Sequence, residues 1–195
     1  MRRPVPVSLE GRHVRLVPIG PEHREDLEAA AAEDPAALHL GALLFTLEGW
    51  DAWYGEAAAG VADGRYVVWA TVDAGSGRAI GSTRFGDIDV ESDRLEIGWT
   101  WLAPSRWRTA ANTEAKLLQL RHAFDELGAG RVGLKTDARN LRSQAAIERI
   151  GAVREGTLRR HIRMPDGFIR DSVYYSILRD EWPAIRDRLE ARLAR

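Results

Sequence analysis

Residues 107–112, Trp-Arg-Thr-Ala-Ala-Asn, stand between an apolar strand-like segment and a long helical pattern. The first N–H groups of a helix have no partner within the helix, and the helix dipole favours negative charge at that end. Small residues let a ligand approach those groups, and Arg108 adds a charge suited to a phosphate. The pattern therefore predicts a phosphate-binding turn. An ordinary strand-to-helix turn capped by Thr109 explains the same residues, so both interpretations stay open on the residues alone.

Other side chains that could do chemistry lie further along the chain. His161, in a predicted strand, has a pKa suited to proton transfer, although a lone histidine is more often structural. Tyr174 and Tyr175 are adjacent in another predicted strand and therefore point to opposite faces, one to the core and one free to serve as a hydrogen-bond donor. Five further aromatic residues fit either a pocket wall or core packing: Trp50, Trp53, Tyr54, Trp99 and Trp101.

The sequence predicts no metal site. The chain has no cysteine, which excludes thiolate catalysis, disulfides and cysteine-based metal sites. Four histidines show no metal-ligand spacing with each other or with carboxylates: His13, His23, His39 and His122.

The composition is that of a globular protein. The 195 residues are 45% hydrophobic and 29% charged, and the formal net charge is −1. That balance predicts no strong attraction for nucleic acid or for an acidic membrane. No apolar run approaches the ~20 residues that span a bilayer. The arginines that follow Met1 are not followed by an apolar segment, so no signal peptide is expected and the default location is cytoplasmic.

Hydrophobic periodicity predicts one mixed α/β domain over residues 1–195. Alternating segments predict strands, and segments with helical spacing predict helices between them. The predicted strands are residues 13–19, 66–73, 79–90, 95–102, 131–136, 153–163 and 168–178. The predicted helices are residues 21–31, 47–62, 109–127, 140–150 and 181–195.

The order of these elements resembles the Gcn5-related N-acetyltransferase (GNAT) family over nearly the whole chain. Residues 107–112 occupy the place of the family's pyrophosphate loop, usually written Q/R-x-x-G-x-G/A, and residues 137–152 resemble its fifth strand and fourth helix. Residues 155–159, 166–167 and 170–177 resemble the ribosomal-protein acetyltransferase (RimJ/RimL-like) branch. The sequence departs from the family where it has Arg108 and Ala110 in place of glycine, Asn112 in place of glycine or alanine, and Ile147 in place of a frequent general-acid tyrosine.

The resemblance implies a mixed, largely antiparallel sheet with a splayed parallel strand pair, flanked by helices. It implies acetyl-coenzyme A as co-substrate and no metal. The pantetheine arm would lie between the strand that ends at Leu102 and the strand that begins at Arg131, bonding like a short extra strand. Asn140 and Ser143 are cofactor residues by resemblance and also suit the first turn of a helix. The cofactor-binding residues so implied are Trp101, Leu102, Trp107, Arg108, Thr109, Ala110, Ala111, Asn112, Asn140 and Ser143.

The resemblance also implies direct transfer of an acetyl group to a primary amine in a ternary complex. Glu96 lies as far before the loop as the base of histone acetyltransferases, and a carboxylate there can remove the amine proton. A solvated strand residue or an ion pair with Arg84 or Arg94 is the alternative. His161 is a second candidate base, Ser143 or water would protonate the leaving thiolate, and N–H groups near Leu102 would polarise the carbonyl. The residues expected to contact the acceptor are Trp50, Tyr54, Trp99 and Tyr175.

Several points stay open at this stage. The acceptor could be a protein N-terminus, an amino acid or another small amine, and a homodimer is compatible with the resemblance. A non-catalytic acyl-coenzyme A sensor of the same fold is the alternative function. RNA binding by the arginine-rich terminal helix is disfavoured because Glu181, Asp187 and Glu190 are interleaved with its arginines.

Overall fold

A computed structural model describes residues 1–38, 43–164 and 166–194, without the side chains of residues 37 and 43–48. His39 lies outside these residues. In the described ranges, no helix is both long and apolar enough to cross a bilayer.

Within the described ranges, eight strands form one sheet in the order β1-β2-β3-β4-β5-β6-β8-β7. Neighbouring strands are antiparallel except for β5 and β6, which are parallel. The predicted fold class is therefore confirmed. The sequence pattern missed β1, because this strand is only two residues long. The strands are β1 (Leu9–Glu10), β2 (Val14–Pro18), β3 (Val67–Asp73), β4 (Ala79–Asp89), β5 (Arg94–Leu102), β6 (Arg131–Asp137), β7 (Val153–Arg163) and β8 (Ile169–Leu178).

Helices cover both faces of the sheet. They are α1 (Arg24–Ala32), α2 (Pro35–Leu38), α3 (Leu43–Ala62), α4 (Ala110–Arg121), α5 (Leu141–Ile150) and α6 (Trp182–Leu193). The α3 helix is broken at Gly49, whose φ of 77° is not helical. The α4 helix ends earlier than predicted because the chain continues as a π-helical turn, His122–Glu126.

Two hydrophobic cores lie on opposite faces of the sheet. The larger core joins α4, α5 and α6 to side chains such as Phe85 and Tyr175. The smaller core joins α1 and α3 to Trp101 and Val72. Successive residues of a strand point to opposite faces of the sheet. Because both faces bury apolar area, the residues of each strand divide between the two cores.

The parallel pair separates after three residues. Register between β5 and β6 runs only from Arg94↔Arg131 to Glu96↔Gly133. From Ile97 onward, β5 pairs with β4 alone, so its other edge presents free backbone groups to a gap. This separation is the splayed parallel pair that the family resemblance implied. An extended ligand in the gap could bond to those groups as an added strand would.

Candidate active site

A cavity of about 1240 Å³ follows the gap between β5 and β6. We distinguish a loop end, formed by residues 107–112 with Arg142, and a sheet end, formed by Glu96, Trp99, Lys135 and Arg170. The described cavity wall has one carboxylate, Glu96, although the chain as a whole carries a net charge of −1. The cavity therefore suits an anionic ligand. Nine basic side chains line it: Arg106, Arg108, Lys116, Lys135, Arg142, Arg149, Arg163, Arg170 and Arg192.

The loop end is held by local contacts that leave its backbone open. The Thr109 hydroxyl accepts a hydrogen bond from the Ala111 N–H at 3.2 Å, as a helix N-cap does. The Trp107 indole donates to the Leu102 carbonyl at 2.9 Å, and the Arg142 guanidinium stacks 3.4 Å from the centre of the Trp107 ring. The helix start thus offers further N–H groups to an anion.

The predicted cofactor residues divide into two groups in the structure. Eight of them line the cavity: Trp101, Leu102, Trp107, Arg108, Thr109, Asn112, Asn140 and Ser143. Ala110 and Ala111 are not among the lining residues, and Ala111 packs into the larger core. A contact with a ligand through the Ala110 backbone N–H remains a prediction.

Arg108 adopts a backbone conformation that glycine usually takes. Its φ is +62°, in the left-handed region that costs a non-glycine residue roughly 1 kcal/mol. The family often has glycine at this position. The backbone of this chain adopts the conformation that suits glycine, although the residue is an arginine. Strain of this kind clusters at functional sites, and Arg108 is one of the residues that line the cavity.

Arg108→Gly is expected to stabilise the fold by about 1 kcal/mol, a rise of about 2–4 °C in Tm, and to weaken acetyl-coenzyme A binding several-fold. Thermal unfolding and calorimetric titration measure the two effects. Arg160→Gly is the matched control, since Arg160 has a φ of +50° and does not line the cavity. It should gain stability without a change in ligand affinity. Equal affinity of both variants would contradict a role for the Arg108 charge.

Asn140 and Ser143 sit at the start of α5, facing the middle of the cavity. The Asn140 side-chain oxygen accepts a hydrogen bond from the Ser143 N–H at 3.0 Å, which confirms the predicted cap. The Ser143 side chain lines the cavity, so its hydroxyl can meet a ligand there. Ile147, one turn further along, also lines the cavity and has no proton to donate.

Glu96 anchors the sheet end. The residue is 5% exposed, and its carboxylate accepts a hydrogen bond from the Lys135 ammonium at 2.8 Å. Burial raises its pKa, and the charge and hydrogen bond of Lys135 oppose that rise only in part. The carboxylate lies over Gly98, where a Cβ would come within 2.8 Å of Glu96 Oε1. The ion-pair alternative therefore holds, but with Lys135 rather than with Arg84 or Arg94.

Trp99 forms the exposed wall of the sheet end. A bulge in the pairing of β4 with β5 gives Trp99 a φ of +50° and leaves it 39% exposed. Its ring lies over Gly86, where a Cβ would come within 2.7 Å of the indole. The Lys135 ammonium lies 5.8 Å from the ring centre. Trp99 is therefore well placed to contact an acceptor in the cavity. That contact remains a prediction.

The other residues expected to contact the acceptor lie elsewhere. Tyr175 is fully buried in the larger core, and its hydroxyl donates to Glu148 of α5 at 3.2 Å. Trp50 and Tyr54 stack on each other 4.9 Å apart beside the smaller core. None of the three lines the cavity, whereas Trp53 of the same helix does. Trp53 also packs in the smaller core, and an acceptor contact by Trp50 or Tyr54 remains a prediction.

His161 of β7 lies near Lys135 and Arg170 of the sheet end. Its Nδ1 is 3.0 Å from the Ser172 hydroxyl and its Nε2 is 3.3 Å from the Tyr174 hydroxyl. Burial, with the charges of Lys135 and Arg170, lowers its pKa, so its neutral form is favoured. His161 is absent from the described cavity wall, and its contact with an acceptor remains a prediction.

Lys116 is a site residue that the sequence pattern did not single out. Its ammonium is buried in the protein and donates to the hydroxyls of Thr83 and Thr100 and to the side-chain oxygen of Gln119, at 3.0, 2.6 and 2.8 Å. Burial lowers its pKa to about 7. Its position next to Leu117 and Leu118, on a helix expected to pack against the sheet, was the one signal.

Within the residues described, no group of three or more His, Asp and Glu side chains could hold a metal ion. The absence of a metal from the reaction stays a prediction, because His39 is not described.

Comparison with known proteins agrees with this geometry. The acetyltransferase (GNAT) domain family matches residues 13–153. YdaF of Bacillus subtilis, named as a candidate ribosomal N-acetyltransferase, is 33% identical over 106 residues, which is 54% of this chain and 57% of that protein. An FsC-acetyl coenzyme A-N(2)-transacetylase of Aspergillus fumigatus is 26% identical over 90% of this chain and 77% of its own length. The crystal structure of a candidate acetyltransferase from T. thermophilus is 39% identical, with a TM-score of 0.84 over 97% of this chain and 98% of the other.

Proposed function

The chain belongs to the GNAT acetyltransferase family, and we propose from this premise that it transfers the acetyl group of acetyl-coenzyme A to a primary amine. The observation that carries the proposal is the gap between β5 and β6, which has a basic loop end and a buried carboxylate at its sheet end. The prediction that residues 1–195 form one domain is part of the proposal, as is a cytoplasmic location. The relatives' names leave both a protein and a small molecule open as acceptor.

The loop end and the gap would hold the donor. The N–H groups at the start of α4, with Arg108 and Arg142, would bind the pyrophosphate, because backbone donors and guanidinium groups both favour phosphate oxygens. The free edge of β5 and the side chain of Asn140 would bind the pantetheine arm. Acetyl-coenzyme A supplies the acetyl group as a thioester. The backbone N–H groups of β5 in the gap would polarise the carbonyl of that thioester.

Glu96 would accept the proton of the acceptor amine. An amine in water has a pKa of about 8–10, so it must lose a proton before it can attack a carbonyl. Lys135 and Arg170 help, because nearby positive charges lower the pKa of a bound amine. The raised pKa of Glu96 makes it a stronger base than a solvated carboxylate. Ser143, or water, would return a proton to the thiolate, since Ile147 cannot.

The first test is calorimetric titration with acetyl-coenzyme A, with dephospho-coenzyme A and ATP as controls, followed by thiol release in the presence of amines. We expect selective binding of acetyl-coenzyme A and amine-dependent release of thiol. No binding at millimolar acetyl-coenzyme A would contradict the proposal.

A non-catalytic acyl-coenzyme A sensor is the second candidate function. It is favoured by one observation, the isoleucine at position 147 in the cavity wall, a side chain that cannot act as an acid. Binding of acetyl-coenzyme A without thiol release from any amine would support it. Steady thiol release would exclude it.

A further inference from the structure

Polar side chains of three strands share the face of the sheet that carries Glu96. Lys135 of β6 lies opposite Tyr174 of β8, and Asp137 lies opposite Ser172. Arg170 is two residues before Ser172, so it points to the same face. The strands therefore bring a second cation, Arg170, to the sheet end beside Lys135. No local sequence pattern predicts this placement.

Arg170 is incompletely paired. Its Nε donates to the Ser172 hydroxyl at 3.0 Å, and across the part of the chain that the structure describes its two terminal amino groups have no hydrogen-bond partner. The side chain is half-buried and lines the cavity. The two terminal amino groups are therefore open to the cavity, where an anion could accept hydrogen bonds from them.

The nearby carboxylates already have other partners. Glu96 accepts from Lys135 at 2.8 Å. Asp137 accepts from the Arg139 side chain at 3.0 and 2.7 Å. Both carboxylates act on Arg170 only through their charge, without a hydrogen bond. The two terminal amino groups of Arg170 can therefore bind an anionic ligand.

The cavity that Arg170 lines also has apolar side chains in its wall. Trp53, Trp99, Ile162 and Met164 line the same cavity. A ligand whose carboxylate binds Arg170 could place its uncharged part against these aromatic and aliphatic side chains. Glu96, which lines the same cavity, could then accept a proton from the amine of the ligand.

We propose that Arg170 binds a carboxylate of the acceptor, so that the acceptor is a free amino acid with an apolar side chain. This inference rests on the proposed function and names its substrate class. A planar guanidinium with two free amino groups matches a carboxylate in a bidentate pair, which a peptide carbonyl or an amide cannot form. A protein N-terminus has no carboxylate beside its amine and would not use Arg170.

The test compares L-phenylalanine, L-phenylalaninamide and phenethylamine as acceptors in thiol release. The amide has the less basic amine and therefore more of the reactive neutral form, so a preference for the acid cannot come from amine basicity. We expect kcat/KM for phenylalanine to exceed that for the other two by roughly 10- to 100-fold, the range for a hydrogen-bonded charge pair.

Variants assign the preference to the guanidinium. Arg170→Gln should abolish the preference, so that kcat/KM falls at least tenfold more for phenylalanine than for phenethylamine, and Arg170→Lys should restore only part of it. Arg159→Gln is the matched control, because Arg159 is exposed on β7 and does not line the cavity. It should keep the full preference. Equal loss of rate with all three acceptors in Arg170→Gln would overturn the inference.

A binding measurement separates failure of this inference from failure of the proposed function. Protein saturated with coenzyme A is titrated with the N-acetyl derivatives of phenylalanine, leucine and alanine, each beside its carboxamide. Tighter binding of the acids, lost in Arg170→Gln, supports the inference even if none of the tested amines turns over. Coenzyme A binding with no preference for any acid overturns it and leaves the proposed function standing. Absence of coenzyme A binding overturns both.

Discussion

Glu96→Gln is expected to lower kcat by about 10²- to 10⁴-fold, the range for loss of a general base. The affinity for acetyl-coenzyme A should stay within about twofold, because Glu96 lies at the sheet end, apart from the basic loop end. Glutamine keeps an oxygen that can accept the Lys135 hydrogen bond of 2.8 Å, so the fold around the site should persist. Steady-state thiol release and calorimetry measure the two quantities.

The pH profile gives this prediction a second readout. A base works in its deprotonated form, so activity should rise as the pH rises through the pKa of Glu96. Burial raises that pKa, and the rise in activity should therefore occur at higher pH than for a solvated glutamate. This limb of the profile should be missing in Glu96→Gln. Glu91→Gln, an exposed change just after β4, should keep both rate and profile. An unchanged kcat in Glu96→Gln would contradict the role of Glu96 as the general base.

Lys116→Met is expected to abolish a pH dependence of stability. In the folded protein the pKa of Lys116 is lowered to about 7 by burial, whereas an unfolded lysine titrates near 10.4. Between these values the unfolded chain binds one more proton than the folded chain. The free energy of unfolding should therefore rise with pH, by about 1.4 kcal/mol per pH unit, and the contribution is lost as the pH falls towards 7.

Urea unfolding from about pH 7 to 9.5 measures this slope. The wild-type protein should gain roughly 2–3 kcal/mol over that range relative to Lys116→Met. Arg159→Met is the control, since it removes an exposed cation of β7. It retains Lys116 and should retain the slope. A wild-type free energy of unfolding that does not rise with pH would contradict the prediction even if Lys116→Met failed to fold.

The loop end was predictable because its contacts are local. Thr109 and Asn140 each bond to an N–H group within three residues, and a helix cap is a short-range pattern. The order of strands and helices followed from periodicity in the same way. The gap followed from the family's motifs, since periodicity does not reveal which strands are parallel.

The sheet end was harder to predict because its contacts join distant segments. Lys135 bonds to Glu96 although the two residues are 39 positions apart in the sequence. No rule of residue spacing predicts such a pair. The sequence placed Tyr174 and Tyr175 on opposite faces but could not say which face was the core. The bonds of Tyr175 to α5 decide that question. Arg170 was overlooked because an arginine in a strand is ordinary until its neighbours are known to be paired.

The contact between Trp99 and Gly86 also bears on how this sequence can change over evolution. The indole lies where a Cβ at position 86 would be, only 2.7 Å away. Alanine at position 86 should therefore be harmful while tryptophan stands at position 99, and tolerated once a smaller residue replaces it. We expect the two positions to be an epistatic pair, so that a lineage that replaced Trp99 would gain a choice of residues at position 86 that this chain lacks.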